Sequence, residues 1–182
     1  MVVVVAVLGV VVMLETTRLT LRPFTLDDVG AMHGVYGDPE VMRHVGDGPV
    51  ADVAQTEAML REYIAHQRAH GFSFWAVIER ASDTVIGDAG LYLLEGRGPD
   101  IELGYTLRRS WWGRGYATEA AQALVRHAFV GLGVDQLVAV ADPANPASIR
   151  VLEKLGMHYD GMREAYGREH ATYRLQARPD NA

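Results

Sequence analysis

Between Ile101 and Leu132 the chain runs from IELGYTL, a strand-like segment, through Trp111-Trp-Gly-Arg-Gly115 into an alanine-rich segment. There Ala117, Ala121, Leu124, Ala128 and Leu132 recur at helical spacing, and Gly131 and Gly133 mark the end. A strand delivered into a helix through Gly-x-Gly implies sheet packed against helix, an α/β (α+β layered) architecture. The turn also suits an anion. Glycines let successive N–H groups point into one concavity, and the helix N-terminus adds partial positive charge. Taken alone, the same turn can equally be a tight connection that binds nothing. Rossmann binding is disfavoured, because the pattern continues to Thr118 with no third glycine and no well-placed ribose-binding acid. A P-loop is excluded, because Gly-Lys-Ser/Thr does not occur.

Other segments fit the layered reading. Arg18 to Pro23 alternates as a half-buried strand, and Thr25 to Asp28 reads as a capped helix start, with Leu26, Val29, Met32, Val35 and Tyr36 on one face. Asp52 can cap a second helix that stops near Gly71. Phe72 to Ile78 and Val85 to Leu94 read as antiparallel neighbours joined by a turn at Ala81 to Thr84. Ile101 to Leu107 is a fourth strand with Gly104 where a bulge would sit. A buried strand over Val134 to Ala141, a loop from Asp142 to Pro146, a helix over Ala147 to Leu155 and two strands at Met157 to Tyr166 and Thr172 to Ala177 complete the pattern.

At 182 residues the chain suits one domain with a sizeable core, and 49% hydrophobic against 22% charged residues places it among globular proteins. Scattered basic residues and a formal charge of -6 give no footprint for nucleic acid or an anionic membrane, so neither is an expected partner. An acidic surface mildly favours a cationic substrate. The absence of cysteine removes thiolate chemistry and suits a reducing compartment, so the cytoplasm is the expected location.

The apolar run from Met1 to Leu14 is shorter than the roughly 20 residues a spanning helix needs. It has neither a basic n-region nor a cleavage site. We read residues 1–14 as an extension outside the domain, with Met13 as a candidate true initiator, and residues 15–182 as the domain. An extra strand or a weak membrane-associating segment is the other reading.

Three pieces in order change the odds on the turn: IELGY at Ile101 to Tyr105, WWGRGYATEA at Trp111 to Ala120, and NPASIRVLEKLGM at Asn145 to Met157. Together with TRLTLRPFTLDD and DPEVMRHVG in the front half, they resemble the RimJ/RimL-like branch of the GNAT N-acetyltransferases over nearly everything after Leu14. The resemblance implies a GNAT fold: a mixed, mostly antiparallel sheet of six to seven strands, about four helices, and splayed parallel fourth and fifth strands. It implies acetyl-CoA as co-substrate, no metal, and an acceptor that is a small-molecule amine or a protein N-terminus. A homodimer is the assembly entertained. The rival is an acyl-CoA-binding sensor or interaction module without catalysis.

The family's pyrophosphate loop, Gln/Arg-x-x-Gly-x-Gly/Ala, falls on Trp112-Gly113-Arg114-Gly115-Tyr116-Ala117, so Trp112 stands where many relatives have Gln or Arg. By the resemblance, the amides of Arg114 to Thr118 hold the phosphates, and small Ala117 lets the cofactor lie against the helix. Arg114 either adds charge or is merely solvated. The strand carrying Tyr105, Thr106 and Leu107 would bind pantetheine through its backbone, splaying near Gly104.

Many GNAT enzymes have Asn-x-x-Ala-x-x-x-Tyr, whose tyrosine protonates the leaving thiolate. Here the frame is Asn145-x-x-Ser148-x-x-x-Leu152. Leucine has no proton to give, and the resemblance makes Ser148, one helical turn earlier, the thiolate's partner. The other reading of Ser148 is a helix-start hydroxyl bonded to backbone. Asn145 would bond the pantetheine amide or only cap the loop. Glu102 is the candidate base, with a structural carboxylate as the equal alternative. His66 and His70 have metal spacing but no third ligand and read as a solvated helix face. Asp83 and Asp88 read as turn or edge residues.

Overall fold

A computed structural model describes residues 3–5 and 13–177. Among them the sheet has nine strands: β1 (Val3–Val5), β2 (Met13–Glu15), β3 (Leu19–Pro23), β4 (Phe74–Glu79), β5 (Thr84–Leu93), β6 (Ile101–Leu107), β7 (Gln136–Ala141), β8 (His158–Ala165) and β9 (Arg168–Gln176). Their spatial order is β1-β2-β3-β4-β5-β6-β7-β9-β8, antiparallel throughout except for β6 against β7. The seven strands from Leu19 onward correspond to those legible in the sequence. The expected splayed fourth and fifth strands are β6 and β7.

The additional two strands come from the N-terminal run. Most of that run lies outside the described residues, but Val3–Val5 pairs with Met13–Glu15, and Leu14 is fully buried in the core. Leu14 sits two ladders from β4, where its fully buried apolar side chain joins the core on the sheet's α4 face. Among the described residues no helix is long and apolar enough to cross a membrane.

Five helices flank the sheet: α1 (Val29–Tyr36), the short α2 (Pro39–Met42), α3 (Val53–His70), α4 (Tyr116–Arg126) and α5 (Pro146–Lys154). Local chemistry sets their ends. The Asp28 carboxylate accepts the Thr25 N–H at 2.8 Å, fixing the entry to α1. Asp52 accepts the Gln55 N–H at 2.8 Å, and Gly71, at φ 80°, lets α3 stop in the left-handed conformation. After Arg126, α4 widens into a π-type turn over His127–Gly131.

Alternation along the strands sends side chains to two separate cores. On one face Trp75, Val77, Leu91, Leu103 and Leu107 pack with the alanines and Leu124 of α4. On the other, Ala76 and Ile78 pack with Met32, Val35, Tyr36 and Leu60 from α1 and α3.

Candidate active site

The turn after β6 is built from glycine conformations. Gly113 has φ 73° and Gly115 φ 81°, both left-handed, which an L side chain rarely adopts. Glu119 donates its N–H to the Gly115 carbonyl at 3.0 Å and is the first residue of the turn so engaged. The preceding amides, Gly113 to Thr118, have no acceptor among the described residues. Six N–H groups without an acceptor among the described residues thus stand at the mouth of an eleven-residue helix, the arrangement an anion cradle requires.

Side chains around the cradle do structural work. Trp112 is 48% exposed, yet its indole N–H donates to the Leu107 carbonyl at 2.7 Å, tying the turn back to the end of β6. This gives Trp112 a structural role at a position where the GNAT loop pattern would put Gln or Arg. Arg114 lies over the Trp111 ring at 5.1 Å, and Tyr116 is buried between the Trp111 ring and the Arg18 guanidinium, which sits 4.2 Å from its centroid. Arg18 was missed by sequence reasoning. It bonds the Arg114 carbonyl at 2.9 Å and clamps Glu119 through Nε at 2.7 Å and Nη2 at 2.6 Å. It thereby pairs with an acid in the first turn of this helix, offsetting a negative charge beside the turn's N–H groups. A shallow pocket beside this turn is lined by Arg18, Thr118, Glu119 and Lys154.

β6 and β7 share a single ladder rung, Glu102 with Val138, and part beyond it. The splay is therefore present, but the bulge expected at Gly104 is not: β5 and β6 stay in register through Gly90 with Gly104. Gly104 answers to a different constraint. A Cβ there would lie 2.8 Å from the Phe74 ring, so the glycine makes room for an aromatic two strands away.

Alternation on β6 divides the chemistry. Tyr105 faces the α4/α5 side with Leu103 and Leu107, while Glu102 and Gly104 face the α1/α3 side. On the first side the Tyr105 hydroxyl meets Ser148 at 3.1 Å from both its carbonyl oxygen and its Oγ. Burial raises the Tyr105 phenol to about 12, so it stays protonated and can donate. Asn145 caps α5, its Oδ1 accepting the Ser148 N–H at 3.1 Å. Sequence reasoning had placed Tyr105 here as backbone only; its hydroxyl was the missed part.

On the second side Glu102 is 7% exposed and accepts a hydrogen bond from the Tyr166 hydroxyl. Burial pushes its carboxyl up to about 7, against the lowering effects of that bond and of Arg163. A group at that value exchanges protons near neutrality, as a general base must. Tyr166, from the turn between β8 and β9, had no signal in the sequence.

Two polar residues depart from expectation. Asp88 is no turn or edge residue: it is 2% exposed in the middle of β5 and accepts from the Tyr36 hydroxyl. Burial raises its carboxyl to about 7, and the partner that keeps it in the core comes from α1, remote in sequence. Asp83, by contrast, does sit in a turn, at φ 51°. His66 is buried rather than solvated. Its ring stacks on Tyr92 at 3.9 Å between centroids, and Nδ1 lies 2.7 Å from the Phe72 carbonyl, so it donates there. An intervening strand, invisible to helical spacing, covers that face. His70 remains exposed.

Comparisons with known proteins show the family and the fold. A family model described as an acetyltransferase (GNAT) domain matches residues 18–158. The chain is 33% identical over 156 residues to an uncharacterized N-acetyltransferase, p20, of Bacillus licheniformis, covering 84% of this chain and 86% of that protein. An acetyltransferase structure from Agrobacterium tumefaciens superposes with a TM-score of 0.77 at 30% identity, over 91% of this chain and 94% of the other. The fold is also shared with RimL, a ribosomal L7/L12 α-N-protein acetyltransferase solved with coenzyme A, at a TM-score of 0.76 and 20% identity, over 88% and 95% of the two chains. This chain belongs to the GNAT family of N-acetyltransferases.

Proposed function

We propose that the protein transfers the acetyl group of acetyl-CoA to a primary amine, either a protein N-terminal α-amine or a small-molecule amine, by direct attack in a ternary complex. The observation that carries this reading is the division of labour across one splayed strand. Within four residues of β6, Glu102 points to one face and Tyr105, with Ser148, to the other, and the amide-lined turn follows directly.

The residues present fit the co-substrate. Amides from Gly113 to Thr118 would bind the pyrophosphate, the parted edge of β6 from Tyr105 to Leu107 would receive the pantetheine arm, and the side-chain Nδ2 of Asn145, which has no partner among the described residues, would donate to it. Acetyl-CoA supplies an activated thioester. Everything else is the chain's task. Glu102, in the carboxylate form it gains as pH rises through about 7, takes the proton that the acceptor's ammonium must lose to become the attacking amine, directly or through a water. Ser148 and Tyr105 offer hydroxyl protons on the opposite side, where the thiolate leaves. A free thiol titrates near about 8.5, so a hydrogen bond to the thiolate suffices and full protonation need not be concerted.

The acceptor enters from the α1/α3 side, bordered by the segment from Arg43 to Val50 and by the β8–β9 turn. Arg168 of that hairpin donates to the Gly46 carbonyl at 2.6 Å, joining the two borders. The test is acetyl transfer from acetyl-CoA across a panel of α-amines, lysine-type amines and polyamines. Turnover on at least one, with kcat lowered in Ser148→Ala, supports the reading. Tight acetyl-CoA binding with no turnover on any amine would instead make the chain a coenzyme-binding module.

A further inference from the structure

Two non-glycine residues beside Glu102 hold left-handed backbone conformations, Glu95 at φ 55° and Tyr166 at φ 51°. Such conformations persist where surrounding contacts impose them. These two residues impose them on each other. The Tyr166 N–H donates to Glu95 Oε1 at 3.0 Å, and the Glu95 N–H donates to the Tyr166 hydroxyl oxygen at 3.2 Å. Because that oxygen already accepts, its single proton is directed to the remaining partner, Glu102 Oε2. Glu102 Oε1 has no hydrogen-bond partner among the described residues and is not one of the side-chain atoms sealed from solvent.

Around Glu102 stand Tyr166 from the β8–β9 turn, Glu95 from the turn after β5, Arg163 from β8, and Tyr92, its cross-strand neighbour on β5. Arg163 is itself engaged by Asp100 at 2.7 Å. Tyr166 is thus the group that bonds the carboxylate directly.

We propose that Tyr166 is a positioning residue for acetyl transfer: its hydroxyl holds Glu102 by Oε2, the reciprocal contact with Glu95 holds Tyr166, and Oε1 is left facing the acceptor amine. This rests on the reading of Glu102 as the base. The arrangement gives the β8–β9 turn a chemical role in addition to bordering the acceptor, because any acceptor that moves the turn also alters the base.

The experiment is the Tyr166→Phe variant, followed by the carbon-13 carboxyl resonance of Glu102, assigned through its loss in Glu102→Gln. Alongside it runs the pH profile of kcat/KM with the best amine of the panel. Removing the donor to the ionised carboxylate should raise its titration by about one pH unit. The acid limb of the profile should move by the same amount, with KM for acetyl-CoA unchanged, since Tyr166 touches none of the groups assigned to the coenzyme, Tyr105, Asn145, Ser148 and the turn after β6. A purely structural tyrosine would lower the melting temperature and leave the carboxyl titration in place, and that result overturns the positioning role. A carboxyl that shifts while the acid limb stays put overturns the base reading of Glu102 instead.

Discussion

The Tyr105 hydroxyl stands equidistant, at 3.1 Å, from the carbonyl oxygen and the Oγ of Ser148. A phenol has one proton, so it serves one of these acceptors at a time. Given to the carbonyl, it leaves its oxygen to accept the Ser148 proton. Given to Oγ, it frees the Ser148 proton for the opening between β6 and β7. The pair can therefore switch from a closed to a donating state without moving a heavy atom.

Tyr105→Phe should lower kcat by about tenfold, the equivalent of roughly 1.4 kcal/mol and typical of one hydrogen bond in a polar network. KM for acetyl-CoA should hold within about twofold if the loss is confined to the departing thiolate. Ser148→Ala should likewise lower kcat more than it weakens acetyl-CoA binding, and the double variant should cost less than the sum of the two. Initial-rate kinetics on all three proteins decide it; additive losses would mean that the hydroxyls act separately.

For Glu102 the pH dependences of rate and stability run in opposite directions. Burial raises its carboxyl from 4.5 to about 7, so activity requiring the carboxylate rises through about pH 7, and Glu102→Gln should flatten that limb. A superimposable profile would make Glu102 scaffold. Stability has the reverse sign: a raised carboxyl favours the fold when protonated. Its contribution is complete below about 4.5 and is lost as pH climbs through about 7. Glu102→Gln should thus match the wild type near pH 4 and exceed it at pH 8 by on the order of 3 kcal/mol, measured by urea unfolding.

His127 makes the opposite prediction at acid pH. It is buried in the π-type turn, neither ring nitrogen has a hydrogen-bond partner, and burial lowers its pKa. The fold therefore accepts the neutral ring. Stability from this residue is present above the unfolded value of about 6.5 and lost as pH falls below it toward the depressed folded value. His127→Leu should narrow the drop in melting temperature between pH 8 and pH 5. Parallel curves for the two proteins would place the acid sensitivity elsewhere.

Gly90 and Gly104 face each other across β5 and β6, but their neighbours differ in hardness. A Cβ on Gly90 would lie 2.3 Å from the Phe74 Cα and the Ser73 carbonyl oxygen, both backbone. On Gly104 it would lie 2.8 Å from the Phe74 ring, which can turn. Gly104→Ala should cost about 1–3 kcal/mol, as overpacking does, and Gly90→Ala more. Chemical denaturation should rank them in that order, and the reverse order would show that the ring, not the strand, is the rigid partner.

Local chemistry made most of the fold legible. The glycines at 113 and 115, the caps at Asp52 and Asn145 and the alternating strands each act within a few residues, and they give the strand–turn–helix order by themselves. Ser148, Glu102 and the turn could be named because the motifs that hold them resemble those of GNAT enzymes and lie within short stretches of the chain. What depends on distant partners could not be read there. Asp88 looked like a turn residue until Tyr36 of α1 was seen to satisfy it, and Gly104 looked like a bulge until the Phe74 ring was found beside it. Likewise Tyr166 reaches Glu102 across 64 residues, and Tyr105 reaches Ser148 across 43. The sequence determined which groups of this protein can donate, accept or ionise. Only tertiary packing decided which of them meet, because burial and hydrogen-bond partners are set by chain segments that no local pattern connects.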